Sequence, residues 1–156
     1  MHPVIPMLSN KTKYAIKALV ALARKNKPMI ISDIAQQESI PKKFLETILL
    51  ELKKQGILAS KVGLGGGYYL LKKPNDVALT QIIRAVGGPI ALLPCVSLNF
   101  YERCEDCKDE ASCSLRDVLL EVRDATLKIF VNTSLQDMVE REKKLKALKI
   151  KKKPKG

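Results

Sequence analysis

The chain has 156 residues, of which 46% are hydrophobic and 28% are charged, and its formal net charge is +12. This length suits one domain with an appendage, and the sequence has no apolar run of the roughly 20 residues that a membrane-spanning helix needs. The N-terminus, MHPVIPM, lacks the layout of a secretory signal. We therefore expect a cytoplasmic protein in a reducing compartment, where clustered cysteines favour metal or redox chemistry over disulfides.

The charge is divided unevenly along the chain. Residues 1–80 carry 13 Lys and Arg against 5 Asp and Glu, residues 81–140 carry 6 against 10, and residues 141–156 carry 9 against 1. Basic segments attract polyanions because binding releases counterions. We expect the N-terminal half to face nucleic acid and the acidic middle to face away from it. The Lys-rich tail either adds to that attraction or is a solvated end that aids solubility.

The N-terminal segment is predicted to form two helices. Ser9 is expected to cap the first, and Pro28 to close it. Its apolar stripe at helical spacing consists of Tyr14, Ala15, Ala18, Leu19, Leu22 and Ala23. Ser32 is expected to cap a short second helix, which ends at a break formed by Ser39 and Ile40.

A third helix is predicted to start with Pro41, whose missing N–H costs nothing there, and to end at Gly56. Its predicted buried face contains Phe44, Leu45, Ile48, Leu49 and Leu52, and its outer face carries Lys42, Lys43, Glu46, Thr47, Lys53 and Lys54. Two short helices joined by a tight turn, the second basic and polar outside, are typical of a helix-turn-helix. An ordinary three-helix core with a solvated face is the alternative.

Residues 57–62 are predicted to form a strand, 63–67 a glycine-rich turn and 68–71 a return strand. A hairpin directly after a recognition helix is the wing of a winged helix. The wing residues expected at DNA are Ser60, Lys61, Gly65, Gly66 and Tyr68. A phosphate-cradling loop is disfavoured because the glycines lack the GxxxxGK[ST] spacing and no helix follows them.

The C-terminal half is predicted to hold three more helices. Thr80 is expected to cap the first of them, which stops at Gly87. The motif at residues 114–117, SLRD, matches a capping box that opens the longest periodic stretch, and residues 134–137, SLQD, match a second box that opens a last helix running into the Lys tail. Spacings of three and four on the long helix are typical of a helix pair and predict a homodimer. The residues with these spacings are Leu115, Val118, Val122, Ala125 and Ile129.

All four cysteines lie within nineteen residues, at Cys95, Cys104, Cys107 and Cys113. Thiolates gathered in one loop are typical ligands of an iron–sulfur cluster, which is the preferred prediction for these four residues. The same spacing would satisfy a tetrahedral zinc site, and a metal-free, thiol-reactive loop is a third alternative. His2, the single histidine, is a further candidate ligand from a partner chain.

Several segments together resemble a family of winged-helix regulators that includes repressors of iron–sulfur-cluster assembly, nitric-oxide response and cysteine metabolism. They are MLSNKTKYAIKALVALA, FLETILLELKKQGILAS, GLGGGYYL and ALTQIIRAVGGPIALLPC, followed by Cys107-x5-Cys113, and they span about residues 7–135. The resemblance implies a mainly α fold with a small β-wing, a long dimerisation helix and a double-stranded DNA operator. It also implies a [2Fe–2S] or [4Fe–4S] cluster near the start of that helix, although some crystallised forms would lack it.

The chain departs from the family pattern at several positions. Three family cysteines correspond to Cys95, Cys107 and Cys113, whereas Cys104 is additional. A histidine ligand of the assembly repressor is replaced by Arg116, and a partner-chain aspartate ligand of the nitric-oxide sensor is replaced by Lys13.

The DNA-contacting segments carry a further difference. A frequent wing arginine is replaced by Val62, so that Lys61 is expected to take over its contact. The base-reading positions correspond to Lys43, Glu46 and Thr47, which suit guanine, cytosine and either base pair, respectively.

The predicted organisation is a DNA-binding winged helix-turn-helix domain at 7–88, a cysteine loop at 89–113, dimerisation and C-terminal helices at 114–150, and a basic tail at 151–156. The predicted function is a homodimeric transcription regulator, a repressor, that senses redox state, iron or nitric oxide and is not an enzyme. The alternatives are a cluster-free or zinc-binding regulator controlled by a metabolite or partner protein, and a small thiol or electron-transfer protein. RNA binding is disfavoured because few aromatic side chains are free to stack on bases.

Overall fold

The computed structural model describes residues 8–152, with side chains described as far as residue 150. His2, residue 7 at the start of the predicted DNA-binding domain, and residues 153–156 of the predicted tail lie outside the described residues. The helices and strands are α1 (Asn10–Lys25), α2 (Ile31–Glu38), α3 (Lys42–Lys54), β1 (Leu58–Lys61), β2 (Gly67–Leu70), α4 (Leu79–Val86), α5 (Ser114–Val131) and α6 (Leu135–Lys152). This order agrees with the predicted mainly α fold with a small β-wing.

The core lies among α1, α3 and α4, with contributions from α2 and the start of α6. The predicted stripes supply most of it, because fully buried residues include Ala15, Ala18, Leu19, Leu45, Ile48, Leu49, Leu52 and Ile82. Small alanines on α1 allow the neighbouring helices to approach closely. Phe44 was predicted to be buried and this is wrong: it is 37% exposed and packs edge-on against Tyr14, with ring centroids 5.7 Å apart.

Helix starts were predicted less well than helix bodies. The cap at Ser9 is confirmed, since its Oγ accepts a hydrogen bond of 3.1 Å from the backbone N–H of Thr12. Ser32 does not cap α2, because the helix already begins at Ile31, one residue before Ser32. The chain enters this helix directly after Met29 has paired with β2. Pro41 occupies the cap position of α3 rather than its first helical position.

Thr80 is also inside its helix and not at its cap. α4 begins at Leu79, whose N–H donates to the carbonyl of Thr133 over 2.9 Å. A tertiary hydrogen bond from the segment between α5 and α6 therefore satisfies a donor that a side-chain cap would otherwise serve. The predicted stop at Gly87 is confirmed, since this residue is the C-cap of α4.

The wing is an antiparallel hairpin in which Leu58 pairs with Leu70 and Lys61 pairs with Gly67. The first strand is shorter than predicted by one residue at each end, and the second has the predicted length but begins one residue earlier. The backbone of Met29 joins its outer edge through two hydrogen bonds with Tyr68, of 2.9 and 2.8 Å. The wing is thereby attached to the segment between α1 and α2.

Of the two capping boxes predicted in the C-terminal half, the first is wrong and the second is confirmed. Ser114 is the first residue of α5 and not its cap, because the Sγ of Cys113 takes the cap position and accepts from the N–H of Arg116 over 3.4 Å. In the second box, the Oγ of Ser134 accepts from the N–H of Asp137 over 3.1 Å, and the Asp137 carboxylate accepts from the N–H of Ser134 over 2.8 Å.

Three helices meet at the guanidinium of Arg24, near the end of α1. It donates to the carboxylate of Glu142 on α6 and to that of Glu38, the last residue of α2, each over 2.7 Å. The pKa of Glu142 is lowered by its hydrogen bond with Lys146 and by Arg24. A carboxyl with a lowered folded-state pKa stabilises the protein above its unfolded pKa of about 4.3, and loses that contribution as pH falls through the folded value.

We expect the substitution Glu142→Gln to lower the free energy of unfolding at pH 7 by up to about 1 kcal/mol, as for other partly exposed ion pairs. The difference from the wild type should shrink as pH falls through the acid range, because the carboxylate is then protonated. Urea unfolding across this pH range measures it. Glu140→Gln is the control, since Glu140 lies on the same helix and is exposed to solvent. An equal loss at neutral and acid pH would contradict the electrostatic explanation.

Candidate nucleic-acid interface and cysteine loop

The outer face of α3 carries a continuous row of exposed polar and basic side chains. With a helical period of 3.6 residues, the predicted contacts share one side of the helix, opposite the buried leucines. These exposed residues are Lys42, Lys43, Glu46, Thr47 and Lys53. Leu50 lies in the middle of the same face and is 53% exposed. Sequence reasoning missed Leu50, although its position on the polar side of the helical pattern was a usable signal.

The wing presents different residues on its two faces. Alternation along the strands places Ser60 and Tyr68 on the face toward the helices, and Lys61 and Tyr69 on the other. The Nζ of Lys53 donates to the Oγ of Ser60 over 2.7 Å, which joins the recognition helix to the wing. Tyr68 is half-buried and packs against the core, so it is less accessible than the other predicted wing contacts.

The tip of the wing is a tight glycine turn. The N–H of Gly66 donates to the carbonyl of Gly63 over 3.0 Å. A Cβ at Gly66 would lie 2.4 Å from the carbonyl oxygen of Lys61, so only glycine fits this position without a shift of the backbone. Gly65 has a φ of +70°, and no atom lies within 4 Å of the Cβ that a substitution would add there. Both predicted glycine contacts therefore lie in the turn. The backbone of Lys61 leaves no room for a side chain at Gly66, whereas the space around Gly65 is open.

The outer wing face borders a basic groove of about 530 Å³. Lys61 and Tyr69 line it together with Lys27, Lys72 and Lys73. The last three lysines were missed because Lys27 lies far from Lys72 and Lys73 in sequence and meets them only through the pairing of Met29 with β2. The dipeptide Lys72-Lys73 directly after the second strand was the available signal.

The cysteine loop brings the thiols of Cys95 and Cys104 together. Cys95 is buried in a short 3₁₀ turn, Pro94–Val96, which is held to α5 because Arg123 donates to the carbonyl of Val96 over 2.9 Å. The pKa of the Cys104 thiol is raised, chiefly by a hydrogen bond with Cys95. The N–H of Cys107 donates to the carbonyl of Cys104 over 3.1 Å, which folds the chain back at this point.

Cys113 lies apart from this group, at the N-terminus of α5. Its Sγ accepts a hydrogen bond from the N–H of Arg116 at the positive end of the helix dipole. The turn that contains Cys95 is bonded to position 123, about 15 Å along the helix axis from position 113. Arg116 also has its Nε–H buried without a hydrogen-bond partner.

The four thiols have suitable chemistry for an iron–sulfur cluster or zinc, but their arrangement is not that of a closed site. Within residues 8–152, no three His, Cys, Asp or Glu side chains are grouped as ligands of a metal ion. Ligation by all four would require the loop to move relative to the start of α5. The arrangement in this chain is therefore a thiol pair, a nearby third cysteine and a separate helix-capping cysteine.

One side of α5 is apolar and exposed along most of its length. Leu115, Val118, Val122 and Ile129 are 58%, 56%, 38% and 62% exposed, and Ala125 between them is also exposed. No residue of this helix is buried. Contiguous apolar surface of this kind usually marks an interaction site. Among the described helices, α5 included, none has the length and hydropathy needed to cross a membrane.

A helix-turn-helix with an exposed basic recognition helix, followed by a wing, defines a class of DNA-binding transcription regulators. The model of the Rrf2 family, described as "Iron-dependent Transcriptional regulator", matches residues 8–141. The chain belongs to the Rrf2 family.

Individual relatives agree with this assignment. The chain is 46% identical over 138 residues to an rrf2-like HTH-type regulator of Rhodobacter capsulatus, covering 85% of this chain and 92% of the relative. It is 29% identical over 140 residues to the HTH-type transcriptional regulator IscR of Pectobacterium atrosepticum, covering 88% and 82%. The solved structure of CymR, the global cysteine regulator of Bacillus subtilis, superposes with a TM-score of 0.71 at 28% identity, covering 86% of this chain and 96% of that one.

These comparisons decide three of the predictions. The resemblance and the winged-helix fold are confirmed, and so is the expectation that the protein is a regulator and not an enzyme, because the relatives are transcription regulators. The relatives include both an IscR and a cysteine regulator. Membership of the family therefore does not identify the signal to which this regulator responds.

Proposed function

We propose that this protein is a cytoplasmic, homodimeric transcription repressor that inserts α3 of each protomer into the major groove of an operator. The observation that carries the proposal is the exposed basic and polar face of α3, joined to the wing by the hydrogen bond between Lys53 and Ser60. In this class of protein the N-terminal residues of the recognition helix contact base edges, and the preceding helix crosses the backbone. Residues 7–88 would form the DNA-binding domain.

The side chains of this surface suit distinct contacts. Lys43 suits the acceptors of guanine, Glu46 the amino group of cytosine, and Thr47 either pair, while the exposed Leu50 suits the methyl group of thymine. Lys42, Lys53 and Lys61 would contact phosphates, as would the backbone N–H groups of the wing turn at Gly65 and Gly66. Tyr68 would support the wing from its half-buried position.

Selection of retained fragments from a random duplex pool would identify the operator. On that operator we expect Lys43→Ala to weaken binding by about 1–3 kcal/mol and to relax the base preference at one position. Lys25→Ala is the matched control, because Lys25 is an exposed lysine at the end of α1. Equal effects of the two substitutions, with unchanged base preference, would contradict base reading by α3.

The exposed apolar stripe of α5 supports the dimer. Residues 114–150 would form the dimerisation and C-terminal helices, and a two-fold axis through this stripe would bury the same residues from both protomers. The two recognition helices would then reach half-sites about one helical turn, ~34 Å, or a multiple of it apart.

We further propose that residues 89–113 bind an iron–sulfur cluster through Cys95, Cys107 and Cys113, with Cys104 as the fourth ligand. The chemistry of the donor set supports this, as does the position of Cys113 at the positive N-terminal end of the α5 dipole, where a cluster of negative charge would be stabilised. When bound, such a cluster would make regulation responsive to redox state, iron or nitric oxide.

A second candidate is a cluster-free regulator that senses through its thiols. The contact between the Cys95 and Cys104 thiols favours it, together with the separation of Cys113 from that pair. In this case no metal would be needed, and the signal would be an oxidant, a metabolite or a partner protein.

Anaerobic reconstitution with iron and sulfide, followed by visible absorption and metal counting, separates these candidates. We expect a coloured protein, and loss of colour in the double variant Cys107→Ala/Cys113→Ala with operator affinity of the apo form unchanged. Cys104→Ala alone tests the fourth ligand. A colourless product with one zinc per chain, or with no metal, would remove the cluster proposal and leave DNA binding intact.

A further inference from the structure

The second half of α6 is a lysine-rich helical segment that the proposed function does not use. We call residues 143–152 the basic arm; its sequence is KKLKALKIKK. Lys143, Lys144, Lys146 and Lys149 are all exposed. Of these, Lys146 pairs with Glu142 over 2.7 Å. The remaining lysines have no acidic residue within the arm to neutralise them.

The arm starts next to the helix-turn-helix. Glu142, the residue before it, is bonded to Arg24, and Arg24 is bonded in turn to Glu38 at the end of α2. Four residues after Glu38 comes Lys42, the first residue of α3. Because the N-terminal part of the recognition helix approaches the bases, the end of α2 lies close to the DNA backbone in this class of complex. From that anchor the ten-residue helix extends about 15 Å.

The charge of the arm fits a polyanion better than another protein surface. At about 100° per residue, the four lysines point to all sides of the helix. Three apolar residues, Leu145, Leu148 and Ile150, are 66%, 56% and 75% exposed, but Ile150 lies on the opposite side from the other two. The arm therefore lacks the continuous apolar stripe that a second copy or a membrane surface would need.

We infer that the basic arm binds the phosphates that flank the operator half-site on each side of the complex. This inference rests on the proposed function, because it assumes that α3 of the same protomer occupies the adjacent major groove. The contacts would be independent of base sequence. They would add affinity and steepen its dependence on salt, leaving base preference unchanged.

The test compares two charge-matched double variants. K143Q/K144Q removes two charges from the arm, and K108Q/K128Q removes two exposed lysines from the cysteine loop and from α5. Glutamine resembles lysine in helix propensity, so the arm should stay helical, and circular dichroism checks this. Binding to the selected operator and to a random duplex, each long enough for two half-sites, is measured over a range of salt concentrations.

We expect the slope of log Kobs against log salt to fall by roughly 0.9 for each lost phosphate contact, which is about 1.8 per protomer and about 3.6 for the dimeric arm variant on two half-sites. The fall should be equal on both duplexes, and the control variant should keep the wild-type slope. An unchanged slope in the arm variant would overturn the inference. So would loss of binding to phosphatidylglycerol vesicles, or a change in oligomeric state by sedimentation, without a change in the DNA slope.

Failure of the proposed function gives a different result. If the wild type shows no salt-dependent binding to either duplex, the regulator proposal itself is wrong. If the wild type binds the operator and the arm variant keeps the wild-type slope, only the inference about the arm is overturned and the regulator proposal stands.

Discussion

Replacing Val118 by Asp is expected to abolish the dimer that we propose to form through α5. Val118 is 56% exposed in the isolated chain and is the second of the five residues of the apolar stripe. In a two-fold dimer the substitution enters the interface twice, and each uncompensated buried charge costs several kcal/mol. We therefore expect the dimer dissociation constant to rise by more than about a thousandfold, as measured by analytical ultracentrifugation.

Operator affinity should fall when dimerisation is lost. Two linked recognition helices gain affinity because the second binding event is intramolecular, an effect of about a hundredfold to ten-thousandfold. The monomeric variant should lose this gain on a two-half-site operator and bind a single half-site as the wild type does.

The matched control is Val131→Asp. Val131 is also on α5 and is 55% exposed, but helical geometry places it opposite the stripe. Its variant should remain dimeric. If Val118→Asp stays dimeric with normal operator affinity, α5 is not the dimer helix.

The elements that could be predicted from sequence are those set by local periodicity. The stripes of α1 and α3 were recognisable because buried residues recur at helical spacing, and the glycine turn marked the wing. Helix starts were harder to predict. α4 has no side-chain cap because Leu79 bonds to the segment between α5 and α6, and α5 is capped by a cysteine thiol. Such bonds depend on tertiary contacts that a local pattern does not contain.

The candidate site was predictable to the same extent. The polar face of α3 follows from periodicity alone, whereas the groove lined by Lys27, Lys61, Lys72 and Lys73 exists only because Met29 pairs with Tyr68. The cysteine spacing indicated a shared site for all four residues. It could not indicate that Arg123 would fix the turn of Cys95 well along α5 from Cys113.

The attachment of the wing also makes a strong prediction for Gly67. Its φ is +134°, and a Cβ there would lie 2.4 Å from the carbonyl carbon and oxygen of Met29. Backbone strain of this kind costs about 1–3 kcal/mol in a residue other than glycine. The clash adds to it, because the wing would have to separate from Met29 and lose the two hydrogen bonds of Tyr68. We expect Gly67→Ala to lower the free energy of unfolding by more than about 3 kcal/mol.

The substitution Gly63→Ala separates backbone strain from the clash with Met29. Gly63 also has a positive φ, +99°, but its added Cβ would meet no atom within 4 Å. It should therefore show only the strain, about 1–3 kcal/mol in urea unfolding. Amide exchange at Met29 and Tyr68 should accelerate in the Gly67 variant alone, because only that substitution opens their pairing. If the two variants lose equal stability and both amides stay protected, the wing is not held by Met29. The basic groove, which depends on this pairing, would then lose its structural basis.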